Sequence, residues 1–216
     1  MPIELVIFDL DGTLVDSIGD IAGSVNYALG MIGKEALTLG EVRRLVGSGV
    51  EHLLLKAAGI DEHDLIQRDL LKGHFLLHYT EHLADQSRPY PNVINTLDAL
   101  ASMKKAVASN KLESLSKRLL DRLSMSGYFE AVYGYDSCGE RKPSPVPILK
   151  LMETLGAGTT QTIIIGDSSL DIQAGHSAGI KAIAVSYGYR PIASLSDADY
   201  IVGDIGEILP IIKALP

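Results

Sequence analysis

The stretch LVIFDLDGTLVDS, residues 5–17, runs an apolar segment into a carboxylate, Asp9, and sets a second, Asp11, two positions later, ahead of Gly12 and Thr13. The apolar run reads as a buried strand. Two acids at its mouth put charge where burial and mutual repulsion both oppose it. In an open parallel sheet, ligands bind in the crevice at the carboxyl ends of the strands. What lies at the ends of the other strands therefore decides what the two acids are for.

Working outward from Asp9, short β-rich runs alternate with helical stretches. Strands are expected at 4–9, 105–109, 131–135, 162–167 and 181–185, with a shorter one at 199–202. Helices are expected at 92–102, 112–125, 145–155, 170–178 and 205–214. That alternation predicts an α/β fold, a doubly wound Rossmann-like parallel sheet. One interval breaks it. Residues 17–84 show helical periodicity and no strand. Ser17-x-x-Asp20 resembles a helix start, Thr38-x-x-Glu41 a capping box, and Gly33, Gly47-Ser48-Gly49 and Gly59 the breaks between helices. The expected organisation is a catalytic core of residues 1–16 and 85–216 with an inserted α-helical cap domain, 17–84.

Three expected strands end on polar residues: Asp9, Ser109 and Asp167. Strands often finish in polar turn residues, but all three together, with Asp11 and Asp171 nearby, point to a shared site. So many carboxylates hold one another protonated unless a cation is present. Oxygen ligands without cysteine or histidine select a hard ion, and Mg2+ suits a site shared with phosphate. Two residues beyond Asp9 on an extended chain, Asp11 projects from the same side. There it can act as acid to a leaving group while Asp9 attacks. Ser109 and the backbone N–H groups after it, at a helix start, form an anion-binding arrangement. Lys142, stiffened by Pro143, can neutralise charge on a transferring phosphoryl group. The Thr13 hydroxyl stands beside the phosphate or caps the turn.

These residues resemble the haloacid dehalogenase superfamily of aspartate-nucleophile phosphatases. Its four motifs occur in order: DLDGT at 9–13, SN at 109–110, KP at 142–143 and GDSSLD at 166–171. The resemblance implies that Asp9 is the nucleophile and a magnesium ligand. It implies that Asp11 is general acid and then general base, with its backbone carbonyl on the metal. Ser109 and the Asn110 backbone would hold phosphate oxygens, and Lys142 both phosphate and Asp9. Asp167 would be the second carboxylate ligand, and Asp171 would bind the metal directly or through water. The phrases DGTLVDS, VRRLVGSGV and KPSPVPIL are most similar to the phosphoglycolate phosphatase group, and the insertion resembles the family's small helical cap. In it Arg43, Arg44, Gly47 and Ser48 are candidates to meet the non-phosphate end of the substrate, an arginine suiting a carboxylate. The alternative is two solvated arginines on a helix face.

The expected activity is therefore Mg2+-dependent hydrolysis of a small phosphorylated metabolite, 2-phosphoglycolate favoured, through an aspartyl-phosphate. A phosphomutase of the β-phosphoglucomutase type, a pyrophosphatase and a non-catalytic phosphometabolite-binding protein are the alternatives. A formal net charge of −8 argues against a nucleic-acid binder. No apolar stretch reaches the about 18 residues of a membrane span, and the single cysteine, Cys138, excludes an intramolecular disulfide. A cytoplasmic setting is expected. His74, His78 and His82 form a stripe at i, i+4 and i+8 with no accompanying zinc-enzyme motif, and are read as a helix face.

Overall fold

A computed structural model of the protein describes residues 2–215. Eight strands occur in it: β1 (Leu5–Phe8), β2 (Val15–Asp16), β3 (Arg88–Pro89), β4 (Lys104–Ala108), β5 (Ala131–Tyr133), β6 (Thr162–Gly166), β7 (Lys181–Val185) and β8 (Tyr200–Val202). The α-helices are α1 (Ile18–Met31), α2 (Leu39–Leu45), α3 (Val50–Ala58), α4 (Leu65–His82), α5 (Val93–Ala99), α6 (Glu113–Arg122), α7 (Val146–Leu155), α8 (Ser169–Ser177) and α9 (Ile208–Ala214). The chain divides into two compact units, one holding the residues up to Asp16 and those from Pro89 onward, the other Ser17–Arg88.

The larger unit carries a six-stranded sheet in the order β5-β4-β1-β6-β7-β8, every pairing parallel. This is the α/β fold with an inserted helical segment that the strand pattern predicts. β1 sits in the middle because all four of its side chains are apolar and buried, as a strand covered on both faces requires. Its odd positions, Leu5 and Ile7, join Ala106, Ala108, Ile164, Ala182 and Ala184 in one face. Ile148 and Leu151 of α7 and Ile172 and Ala174 of α8 pack against that face. Small alanines on the flanking strands let the helices approach closely, so the sheet is a rigid platform.

The register positions the site. Phe8 stands opposite Val107 on one side and Ile165 on the other. The residues that follow, Asp9, Ser109 and Asp167, therefore emerge along one edge. The Asp9 N–H continues the ladder to the Ile165 carbonyl at 2.8 Å.

The smaller unit is helical throughout. Leu71, Phe75 and Tyr79, spaced four apart on α4, are buried, and the last two rings stack 5.1 Å apart. Thr38 and Glu41 form the expected reciprocal capping box at the start of α2. Ser17 precedes α1 but makes no side-chain cap. Asp20 does other work: buried, it accepts from the N–H groups of Gln86 and Ser87 and from the Ser87 hydroxyl. Residues 86–87 are thereby tied to α1. His74, His78 and His82 all lie on α4. The His78 ring stacks on Tyr27 and His82, and its Nδ1 is 2.9 Å from the Ser24 hydroxyl. Burial first, then the neighbouring His82, lower its pKa. His82 hydrogen-bonds Asp85. His78 thus packs against α1.

Candidate active site

Asp9 follows the last residue of β1, which puts a carboxylate at the mouth of a fully buried strand. Lys142, reached from the loop before α7, lies between two acids. Its ammonium is 2.8 Å from Oδ1 of Asp9 and 2.6 Å from Oδ1 of Asp171, and its side chain is 3% exposed. Burial by itself would lower the pKa of this lysine, but Asp171 and Asp9 outweigh it and the ammonium is held charged. The backbone of Lys142 is held in turn. The Asn110 side chain accepts from the Lys142 N–H and donates to its carbonyl, both at 2.9 Å. Asn110 therefore couples the second motif to the third, a role for its side chain that the sequence reading, which used only its backbone, does not contain. Ser109 is buried beside it, its hydroxyl accepting from the Lys111 N–H.

Asp171 occupies the first turn of α8. Its Oδ2 accepts from the Ser168 N–H and hydroxyl, closing a cap, while Oδ1 faces Lys142. Asp167 follows the last residue of β6, and its Oδ2 accepts from the Tyr189 N–H at 2.6 Å. Two glycines make room for it. A Cβ on Gly12 would lie 2.4 Å from Asp167 Oδ2, and Gly12 has φ of +91°, a conformation side chains rarely adopt. A Cβ on Gly188 would lie 2.3 Å from the Asp167 Cβ and 2.6 Å from the Gly12 carbonyl. Gly188 and Tyr189 are site residues that no local pattern in the sequence marks, since they are brought in by the loop after β7.

Asp9, Asp167 and Asp171 each offer a carboxylate oxygen within 4.8 Å of the others, the one such grouping of three or more metal-ligating side chains among the described residues. The donor set is all oxygen, which fits a hard divalent cation and does not fit a zinc or copper site. The electrostatics agree. Burial, with Asp171 adding and Lys142 opposing, raises Asp9 to about 7. Burial, with Asp9 and Asp171 adding, raises Asp167 to about 8. The Lys142 ammonium, with Arg190 acting on Asp167, does not compensate three shielded carboxylates, so the cluster favours further positive charge.

After Leu10 the backbone turns, with the N–H groups of Leu14 and Val15 both reaching the Leu10 carbonyl at 3.0 Å. The Asp11 carboxylate is not one of the clustered three. It meets the Lys111 ammonium at 2.7 Å. The Thr13 hydroxyl is fully buried and has no hydrogen-bond partner among the described residues. Arg43 and Arg44 are exposed on α2, with Gly47 and Ser48 in the turn that follows, all in the helical unit.

Residues 6–185 match the model of the haloacid dehalogenase-like hydrolase family. A phosphoglycolate phosphatase of Aquifex aeolicus is 42% identical over 193 residues, 88% of each chain. One of Agrobacterium fabrum is 36% identical over 95% of this chain and 91% of its own. Among solved structures, a protein of Haemophilus somnus 129pt described as a predicted phosphoglycolate phosphatase superposes with a TM-score of 0.89 at 34% identity, covering 97% of both chains. With motifs following β1, β4 and β6, another in the loop before α7, and the family model spanning most of the sequence, the chain belongs to the haloacid dehalogenase-like hydrolases.

Proposed function

We propose that this hydrolase is a Mg2+-dependent phosphomonoesterase that acts on small phosphorylated metabolites, with 2-phosphoglycolate the favoured substrate, through an aspartyl-phosphate on Asp9. The observation that carries this reading is the buried Asp9–Lys142–Asp171 triad beside Asp167 at the carboxyl edge of the sheet. The relatives named phosphoglycolate phosphatase support the choice of substrate.

Asp9, Asp167 and Asp171 would hold the metal, with the Asp11 carbonyl. Bound Mg2+ supplies charge compensation for the carboxylates and polarises the phosphoryl oxygens. The rest is done by the protein's own groups. Ser109, the Asn110 N–H and the Thr13 hydroxyl receive phosphate oxygens. A carboxylate oxygen of Asp9 attacks phosphorus as the bond to the ester oxygen breaks, and Asp11 delivers a proton to the departing alkoxide. Lys142 lies against Asp9 and offsets charge that gathers on the phosphoryl group. In the second half, Asp11 takes a proton from a water that attacks the same phosphorus. The bond to Asp9 breaks, inorganic phosphate leaves and both acids return to their starting states.

Asp9→Asn is the test. The amide fills the same space but is a far weaker nucleophile, so phosphate release with Mg2+ falls by roughly 1,000-fold or more. A variant retaining a tenth of wild-type turnover would refute a covalent role for Asp9. Dependence on a sugar bisphosphate without net phosphate release would favour the mutase.

A further inference from the structure

The ion pair between Lys111 and Asp11 joins residues a hundred positions apart. Both side chains are largely shielded, 9% and 12% exposed, and the ammonium is 2.7 Å from Oδ1 of Asp11. Lys111 directly follows the Ser109–Asn110 pair, and its own N–H is bonded to the Ser109 hydroxyl. It therefore sits at the phosphate cradle with its charge directed to the acid that serves the leaving group. The cation for the phosphoryl group is already present in Lys142, engaged with Asp9 and Asp171. A second ammonium, that of Lys111, meets Asp11, the acid that would serve the leaving alcohol.

Atoms joined to the ester oxygen are carried past Asp11 as that oxygen receives its proton. Because the Lys111 ammonium is in contact with Asp11, a group one or two carbons along that alcohol would fall near it. We propose that Lys111 is a specificity-determining residue, pairing with an anionic group, a carboxylate above all, on the leaving alcohol next to the ester oxygen. The preferred substrates are thus phosphate esters of short 2-hydroxy acids, of which 2-phosphoglycolate is the smallest. This rests on the phosphomonoesterase reading. A charge-assisted pair in a shielded site is among the stronger single contacts available to a small ligand, and a neutral alcohol of the same size forfeits it.

Two esters separate the ideas: 2-phosphoglycolate, and 2-hydroxyethyl phosphate, in which the carboxylate is replaced by a neutral carbinol. Wild type, Lys111→Met and Lys111→Arg are assayed with saturating Mg2+ and their folding checked by thermal melting. Any general effect of Lys111 through Asp11 lowers both esters alike and cancels in the ratio of their kcat/KM values. The ratio favours phosphoglycolate in wild type, collapses by roughly 10- to 100-fold in Lys111→Met, and is largely restored in Lys111→Arg. An unchanged ratio in Lys111→Met overturns the proposal and reduces Lys111 to a support for Asp11. Wild type that hydrolyses both esters equally overturns it while leaving the phosphomonoesterase reading intact, whereas wild type that hydrolyses no ester removes both. If Lys111→Met does not fold, product inhibition of wild type decides. Glycolate must inhibit at a far lower concentration than ethylene glycol, and parity refutes the assignment.

Discussion

Asp167→Asn separates what the site does for catalysis from what it costs the fold. In the absence of a cation, the Asp167 carboxyl titrates at about 8, against an ordinary value of 3.8. An acid whose folded pKa is raised binds its proton more tightly when folded. Stability is therefore highest below the unfolded value and falls as pH rises from about 4 to about 8. A gap of about four pKa units corresponds to at most about 6 kcal/mol. Asp9 is raised to about 7, mainly by burial, with Lys142 opposing and Asp171 adding, and its charge is one of the causes that raise Asp167, so the two penalties are not independent. Asparagine keeps the shape and still accepts from the Tyr189 N–H, but carries no charge. Metal-free Asp167→Asn is accordingly expected to exceed metal-free wild type by about 2–4 kcal/mol at about pH 8, the advantage disappearing near pH 4. On the proposed reading Mg2+ is expected to reverse the order, because it would stabilise wild type by binding the native state and would lack one ligand in the variant. Urea denaturation in EDTA across this pH range, repeated with Mg2+, measures all of it. Should metal-free Asp167→Asn be the less stable protein at pH 8, or should Mg2+ stabilise both proteins equally, the charge accounting of the site is wrong.

Two further outcomes test separate parts of the structure. Gly188→Ala forces a Cβ to within 2.3 Å of Asp167 and 2.6 Å of the Gly12 backbone. Mg2+ affinity, followed by calorimetry, should drop about 10-fold or more as the carboxylate is displaced. A variant binding Mg2+ like wild type would show that the loop yields. Asp20→Ala leaves the N–H groups of Gln86 and Ser87 without their acceptor, and unfolding of the helical unit should become easier by about 2–4 kcal/mol. Hydrogen exchange at those two amides reads it directly, and unaltered protection would mean that Asp20 does not hold the segment.

Much of the molecule is legible from the chain because its signals are local. An apolar run such as IIIG followed by Asp167, or LVIF followed by Asp9, announces both a buried strand and the polar residue it delivers. Parallel pairing places such ends side by side without further information. The capping box of Thr38 and Glu41 is equally local, spanning one helical turn. Asp20 shows where this kind of reading stops. Its spacing from Ser17 marks the start of α1 as expected, while its side chain's partners are Gln86 and Ser87, more than sixty residues away. The same holds for Asp11, whose ion-pair partner Lys111 lies a hundred positions along the chain.

The sequence by itself determined the reaction chemistry on offer: which carboxylates, which lysine, which hydroxyl, and the strand ends that carry them. Residue types and short-range spacing suffice for that, because a strand's end is set within a few residues. Tertiary structure alone decided how those groups are paired. Lys142 bridges Asp9 and Asp171, Asn110 grips the Lys142 backbone, the Tyr189 N–H steadies Asp167, and Lys111 faces Asp11. Each of these contacts joins segments that only the sheet's register and the loops above it bring within 3 Å. Their energies depend on shared burial, a property no isolated segment possesses. The opening pair of acids at 9 and 11 is thus read twice, once as chemistry from the sequence and once, through two different lysines, as electrostatics from the fold.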